Sequence, residues 1–512
     1  MSSNPPSLRI FRGGYLFLWL LLLSGTALAS DYTSGNTDDH AGDEGYLNAD
    51  DSVYLEEDVE EYVDDEEYAD SDMQWAMDAP PVKQSRLSDL LSTAHFTYRH
   101  EAAYGIDEPT PLVINRFSLR LQWEYGVGAN FFRFDGKTGY DLAYQGDDYS
   151  EVIADKYLHE SQLREFYWQR SDGPFSIKLG RQLVIWGKAD GAVVTDVMSP
   201  RDFTESVFTS IEDARLGQEM IVMDYYHLGA QSDDGLRSQQ QWSLVVTPYI
   251  KVNEQALPGH PYGRFPSAAH ATSFSAEPSV APVTRGTDSI VTTDYPPGES
   301  WHRPEVGLRW GVSRGKLDWA LMAAEVNEDN PILSLASQPS PYPLRIDYPR
   351  YQMLGGGFNW GGERFVWKGE AAFKKNRHFT HEDIVSSGQY SVLDAALGFD
   401  YDANGAYSVS LELSNQHIIN WSDDIALLRR DESILYGSIS KNWWNETLTT
   451  TYTSMLQLQD EEFFHRFEFI YEVDDRWTIE LQADYFDSDK QLSVLGQLQD
   501  KSRIALQIDF DF

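Results

Sequence analysis

The stretch SNQHIINWSDD brings Ser414, His417 and Asp424 into one short segment. A hydroxyl, an imidazole and a carboxylate are the parts of a nucleophile, its base and the group that orients the base. Convergence is the requirement, and this segment opens as an alternating strand, which sends neighbouring side chains to opposite faces. Hydrolytic chemistry is therefore not expected, and the chain reads as a non-enzyme. His260, His270, His302, His378 and His381 lie in or near loops without tight ligand spacing. His378 and His381 would meet only on a helical turn. No DxDxDG-type calcium loop occurs, so no metal or other cofactor is expected. What remains is a set of full charges recurring at even spacings along the strands. Arg116, Arg120, Lys178, Arg309, Arg364 and Lys368 are the bases, and Glu305, Glu412, Glu480 and Asp484 the acids. Charges spaced in this way share one face of a strand and need water beside them.

The elements that position them are short amphipathic strands. In RFSLRLQWEY, Phe117, Leu119, Leu121, Trp123 and Tyr125 oppose Arg116, Ser118, Arg120, Gln122 and Glu124. PEVGLRWGVS, YSVSLELS and WTIELQADY repeat the pattern. A soluble sandwich also alternates. Here, however, the apolar face is rich in Trp, Tyr and Phe near strand ends, and the other face carries full charges along whole strands. That combination fits lipid outside and a wet lumen inside. Short links at 126–128, 171–174, 313–316, 361–363, 402–405 and 473–476 alternate with long ones at about 136–156, 187–217, 252–302, 328–349, 376–388 and 417–430. The connection at 229–238 is intermediate and the one near Asp460 short. The expectation is an all-β fold: a transmembrane antiparallel meander β-barrel of about 18 strands (16–18) over residues 86–512.

The ends of the chain agree with an exported protein. Arg9 and Arg12, the apolar run from Tyr15 to Leu23 and Ala27-Leu28-Ala29 have the form of a signal peptide over residues 1–29. Residues 30–85 form an acidic leader; between Asp31 and Asp78 it has 19 Asp and Glu and no Lys or Arg. Such a segment cannot build a core and is expected to be a disordered periplasmic spacer, with docking of a basic partner as its alternative role. The remainder is still acidic, 62 carboxylates against 38 bases, which argues against nucleic acid as a partner. There is no cysteine, so stability comes from packing and strand pairing alone. The final strand, SRIALQIDFDF, alternates to Phe512. Pairing it with the first strand would leave no edge in lipid.

The string LGRQLVIWGKADG, followed by TDVMSPRD and EDARLG, resembles the porin-like outer-membrane barrels of Gram-negative bacteria. It is closest to uncharacterised exported barrels in which a GRQ…WG strand end leads into an Asn/Ser-Pro-x-Asp turn. The matching residues are Gly180, Arg181, Gln182, Trp186, Gly187, Ser199, Pro200 and Asp202. Phe512 at the end of an amphipathic strand resembles the signal that the barrel assembly machinery reads. The resemblance implies an outer-membrane location and general transport, and names no solute.

The connection 187–217 is too structured for a tether. It carries Lys188, Asp190, Asp196, Asp202 and Glu205. Ser199, Pro200 and Asp202 read as the start of a helix from about Pro200 to Thr209, and Val193, Val194, Val197, Phe203, Phe208 and Ile211 read as packing residues. We expect it to fold into the lumen and narrow a pore for small hydrophilic solutes, its acids facing wall bases. A second reading keeps the lumen plugged. It makes the protein an export or lipid-handling conduit component that docks a periplasmic partner through the leader. The long connection 252–302 is expected to cover the outer mouth. Arg181 does not fit. Its parity points it at lipid, where an arginine costs about 2–4 kcal/mol near the midplane, unless a bulge at Gly180 re-aims it or it lies near an interface. Glu165 is a partner only if the register shifts.

Overall fold

A computed structural model describes residues 93–512 apart from 107–111, 147, 232–235, 258, 264–290, 294–302, 336–343, 383–385, 427, 490–492 and 494. The signal peptide and the acidic leader lie outside the described residues. The described strands close into a transmembrane-type antiparallel meander of 18 strands. In chain order they are β1 Ala94–Gly105, β2 Leu112–Val127, β3 Asn130–Asp141, β4 His159–Asp172, β5 Phe175–Gln182 and β6 Gln218–Gln231. Next come β7 Arg237–Thr247, β8 Glu305–Arg314, β9 Leu317–Asn327, β10 Arg350–Gly361, β11 Phe365–Thr380 and β12 Ser387–Asp402. The last are β13 Ser408–Ile418, β14 Asp431–Trp443, β15 Leu448–Gln457, β16 Glu462–Glu472, β17 Trp477–Asp487 and β18 Arg503–Asp511. Short strands Val291–Thr293, Ile332–Leu335 and Leu344–Asp347 form a separate small sheet.

Closure occurs where the sequence placed it. β18 pairs antiparallel with β1 from Thr97↔Asp511 to Gly105↔Arg503. The ladder continues to the last residue, with Phe96 and Phe512 exchanging backbone hydrogen bonds of 3.2 and 3.0 Å and stacking their rings at 5.5 Å. Every backbone edge of the wall is thereby paired, as a strand wall in hydrocarbon requires. The turns at 128–129, 173–174, 315–316, 362–364, 403–407, 444–447 and 473–476 share one rim with the start of β1 and the end of β18. The long connections share the other. Two boundaries move. β3 runs to Asp141, so the Gly-rich GKTGYD is strand, held by cross-strand partners on β2 and β4. A further long-rim connection, 488–502, ends in a 3₁₀ turn over Gly496–Lys501.

The alternation sorts the faces. Leu119, Leu308, Leu321, Leu354, Leu397, Leu411, Leu481 and Ile504 are all exposed and share the outward parity. Trp360, Phe365, Trp367, Tyr407, Trp444 and Trp477 lie exposed close to the short-turn rim, an aromatic girdle. Ser414 and His417 fall on opposite faces. Ser414 is buried on the inner side, whereas His417 pairs outward with Asp431 at 2.5 Å, so the two cannot form a relay.

Arg181 is resolved by the same register. Gly180, at φ +131°, supplies a backbone conformation open to glycine, yet it does not re-aim its neighbour. Arg181 stays outward opposite Glu219 at the long-connection rim and donates to that carboxylate at 2.9 and 2.5 Å. Glu165 is engaged elsewhere, with Arg133 at 2.6 Å.

Candidate functional site

The residues between β5 and β6 meet inward-facing wall side chains on both sides of the barrel. β11 presents Lys368, Glu370, Ala372 and Lys374 inward at alternate positions. Glu370 is 5% exposed. Its carboxylate accepts from the backbone N–H of Lys188, from Ala189 at 2.7 Å, and from Thr195 through N–H at 3.2 Å and hydroxyl at 2.7 Å. On β13, Glu412 accepts from the N–H groups of Asp190 and Gly191 at 3.0 and 2.9 Å. Lys368 bridges Asp190 and, at 3.0 Å, Asp400. Two wall carboxylates and one wall lysine thus carry the first lobe of the insert.

Apolar packing covers the same lobe. Trp186, Val194, Val197 and Met198 are buried with Met322, Val326, Tyr351, Met353 and Ala372 of the wall. Gly307 on β8 permits the contact, because a Cβ there would collide with the Trp186 ring. Inside the lobe, Asp196 accepts from Arg201 at 2.6 Å, Arg215 at 2.9 Å and the Trp186 N–H at 3.1 Å. All three charged groups are buried, a charge cluster satisfied by its own hydrogen bonds.

The second lobe lies against β1, β2 and β16–β18. Arg116 donates to Glu205 at 2.5 Å and to Glu101 at 2.9 Å. Burial alone would raise the Glu205 carboxyl, but Arg116 and Arg503 outweigh it and hold it below the usual carboxylate range. Asp202 is pushed upward by burial despite accepting from Thr204. Arg466 donates to the carbonyls of Val207 and Phe208 at 3.0 and 3.2 Å. The Arg503 guanidinium lies 3.9 Å over the Phe208 ring. Asp484, buried, accepts from both arginines at 2.8 and 3.2 Å. The described start of the 252–302 connection joins this lobe rather than capping it from outside. Asn253 accepts from the Arg201 N–H at 2.7 Å, Asp202–Phe203 pairs with Glu254–Gln255, and the Tyr262 hydroxyl accepts from Arg503 at 3.2 Å.

No helix forms over 200–209. Ser199 turns back instead of capping, accepting from the Val184 N–H and donating to its carbonyl at 3.1 and 3.0 Å. Asp196 recruits Arg201, and Arg201 forms a bridge with Arg215. Tertiary pairing overrides the local signal, leaving a 3₁₀ turn at Ser206–Phe208 and a single helical turn at Ile211–Ala214. Of the expected packing residues, Val194, Val197 and Phe208 are buried, whereas Val193 and Phe203 are exposed.

The charges singled out in the sequence separate into groups. Arg116, Arg120, Lys178, Arg309, Lys368, Glu305, Glu412, Glu480 and Asp484 all sit on inward positions. Arg120 is clamped to Asp135 at 2.8 and 2.6 Å. Glu305 is buried, accepting twice from Asn327 at 2.8 and 2.9 Å. Arg364 does not belong to the wall: it occupies the short turn between β10 and β11. On the insert, Lys188 and Asp190 meet the wall, Asp196 turns into the lobe, and Asp202 and Glu205 belong to the second lobe. Residues missed from the sequence include Glu370, Lys374, Arg466, Arg503 and Glu101. The signal was available in FVWKGEAAFKK, where alternation puts Lys368, Glu370 and Lys374 on one face. Among the described residues, cavities lie beside the insert, two of them as follows. One of about 780 Å3 is lined by β1–β4, β16–β18 and residues 202–213. One of about 130 Å3 lies against residues 182–188.

Residues 112–512 match the family described as "Protein of unknown function (DUF1302)". No curated protein matches the sequence. Among solved structures the chain is similar to OccAB1 of Acinetobacter baumannii, with 10% identity, 82% of this chain and 96% of that chain covered, and a TM-score of 0.45. It is similar to OmpF of Salmonella typhi, solved with daunomycin, with 9% identity, coverage of 82% and 97%, and a TM-score of 0.39. Wzi of Escherichia coli, described as an outer membrane protein involved in group 1 capsule assembly and a carbohydrate-binding β-barrel, has 10% identity, coverage of 83% and 86%, and a TM-score of 0.42.

Proposed function

The chain belongs to the DUF1302 family, and we propose that it is an outer-membrane channel through which small hydrophilic solutes diffuse, its lumen narrowed by residues 187–217. The observation that carries this reading is the pair of wall carboxylates, Glu370 and Glu412, that hold the backbone of the insert inside the wall. An 18-stranded wall without an inner loop leaves an aqueous bore too wide to discriminate among small solutes. A loop hung from that wall sets a size limit. The exposed leucines and the tryptophan girdle support lipid as the outer partner, and Phe512 at the closing strand supports handling by the barrel assembly machinery.

The plugged reading has its own support. The insert packs apolar residues against β6–β12 in its first lobe and against β1, β2 and β16–β18 in its second, so it is anchored on opposing walls. In that reading the acidic leader docks a periplasmic partner. Single-channel recording from the purified protein in planar bilayers separates the two. Stable open steps support the channel; a silent but correctly folded barrel supports the plugged component. Deleting residues 189–213 should enlarge the steps and weaken selectivity. Unchanged conductance after deletion would remove the insert from any narrowing role.

A further inference from the structure

The larger cavity, about 780 Å3, lies between the second lobe and the wall. Its lining runs from His95 and Asp511, at the start of β1 and the end of β18, to Lys156 and Glu254 in the long connections. It therefore reaches from near one rim toward the other, a way past the insert. Eight lysines and arginines line it, and all but one are tied to carboxylates. Arg99 donates twice to Asp509 at 2.9 Å. Arg120 pairs with Asp135 at 2.6 Å, and Arg164 lies 3.9 Å from Asp135 and 4.0 Å from Asp213. Arg116 meets Glu101 and Glu205, Lys137 meets Glu160 at 3.1 Å, and Arg466 and Arg503 share Asp484. Those four bases and four acids balance. Lys156 is left, over the Tyr157 ring at 5.6 Å.

The acids on the same lining are not all matched. Asp141, Asp202 and Glu254 lie toward the long connections, near Lys156, and Asp511 meets His95 at 3.2 Å at the other end. Between these ends stand Glu468 on β16 and Glu480 on β17, set diagonally by the pairs Glu468↔Gln482 and Ile470↔Glu480. Among the described residues neither has an ion pair, and Glu480 accepts only from Gln507, at 3.4 Å. The bases that act on them, Arg99 and Arg466, are those already held by Asp509 and Asp484.

We propose that this passage favours small cationic solutes, with Glu468 and Glu480 as the residues that set the preference. The proposal rests on the channel reading and names the class of solute. Paired charges cancel at short range, whereas an unmatched charge in a narrow polar space bordered by low-dielectric walls draws its counterion. About 8 Å from the path of an ion, one such charge in water at about 0.1 M salt changes the ratio of cation to anion permeability roughly twofold. Two give about fourfold.

Reversal potentials in planar bilayers, under a KCl gradient centred near about 0.1 M and at alkaline pH, test this. The unaltered protein should pass K+ over Cl− by about fourfold. Glu468→Gln and Glu480→Gln should each halve the ratio, and together they should abolish most of it. Glu468→Lys with Glu480→Lys should turn the preference toward anions. Open channels without cation preference, or a preference unmoved by the double substitution, overturn this proposal and leave the channel standing. Silence from barrels whose strands stay protected in hydrogen exchange overturns the channel reading and this proposal with it.

Discussion

Glu370 is the strongest single hold on the insert, and replacing it with glutamine isolates that hold. The carboxylate accepts from three backbone N–H groups and one hydroxyl. A glutamine of the same shape has one carbonyl oxygen and turns an NH2 group toward the remaining donors. Two donors therefore keep a neutral acceptor and two lose theirs. Hydrogen bonds to a charged group contribute about 1.5–3 kcal/mol each. Losing two at the lower figure costs the docked lobe about 3 kcal/mol, roughly a hundredfold in its opening equilibrium. The barrel wall, with its ladders intact, should not unfold. Hydrogen–deuterium exchange reads the effect directly: amides over 186–196 should exchange up to about a hundredfold faster in Glu370→Gln, while those of β11 itself stay protected. Adding Glu412→Gln should extend the loosening to Asp190 and Gly191. Exchange over 186–196 matching the unaltered protein, in a variant whose strands remain protected, would refute the assignment of Glu370 as the anchor.

Glu219→Gln should strand Arg181 on the outward face and lower the unfolding free energy in lipid vesicles by about 1–2 kcal/mol, below the midplane cost because the pair lies at the rim; Arg181→Met with Glu219→Met should recover most of it. Gly307→Val should drive a side chain into Trp186 and Met198, costing about 1–3 kcal/mol of lobe packing, read as faster exchange near Trp186 with the wall unchanged. Burial, helped by Arg116 and Lys156, lowers the His260 imidazole to about 3. The unfolded loop gains a proton below about pH 6.5 that the folded loop refuses, so the hold of residues 253–263 should be complete above that value and weaken as pH falls toward 3. His260→Gln should flatten this dependence, measured as protease susceptibility of the loop from pH 7 to pH 4.

The wall was legible because its chemistry has a period of two. Leu119 and Arg120, or Leu411 and Glu412, take their faces from position alone, so closure at Phe512 and the sorting of in from out followed from alternation. The insert has no such period. Ser199-Pro200 carries a good helix-start signal, yet the partners that decide its fate, Val184, Asn253 and Arg215, are tertiary. Asp196 and Asp190 are both acids in one loop; only the folded chain distinguishes the one sealed among arginines from the one bonded to the wall. Arg364 failed for a different reason: a single shift of a strand end moves a residue from wall to turn.

The ion pairs change what a narrowing loop would select on. A transverse field needs acids on the loop facing unmatched bases across water. Here Asp196 is closed within the insert, Glu205 is joined to Arg116 and Asp190 to Lys368. Each pair fixes the loop to itself or to the wall, and each removes most of the field its members would have cast, since paired opposite charges screen one another at short range. The exposed side chains of the first lobe are Ile185, Asp190 and Val193, two of them apolar and the third paired with Lys368. On the proposed channel reading, discrimination at this loop would follow size and apolar contact more than charge. Neutralising Asp190 should consequently alter the loop's position before it alters any preference between cations and anions.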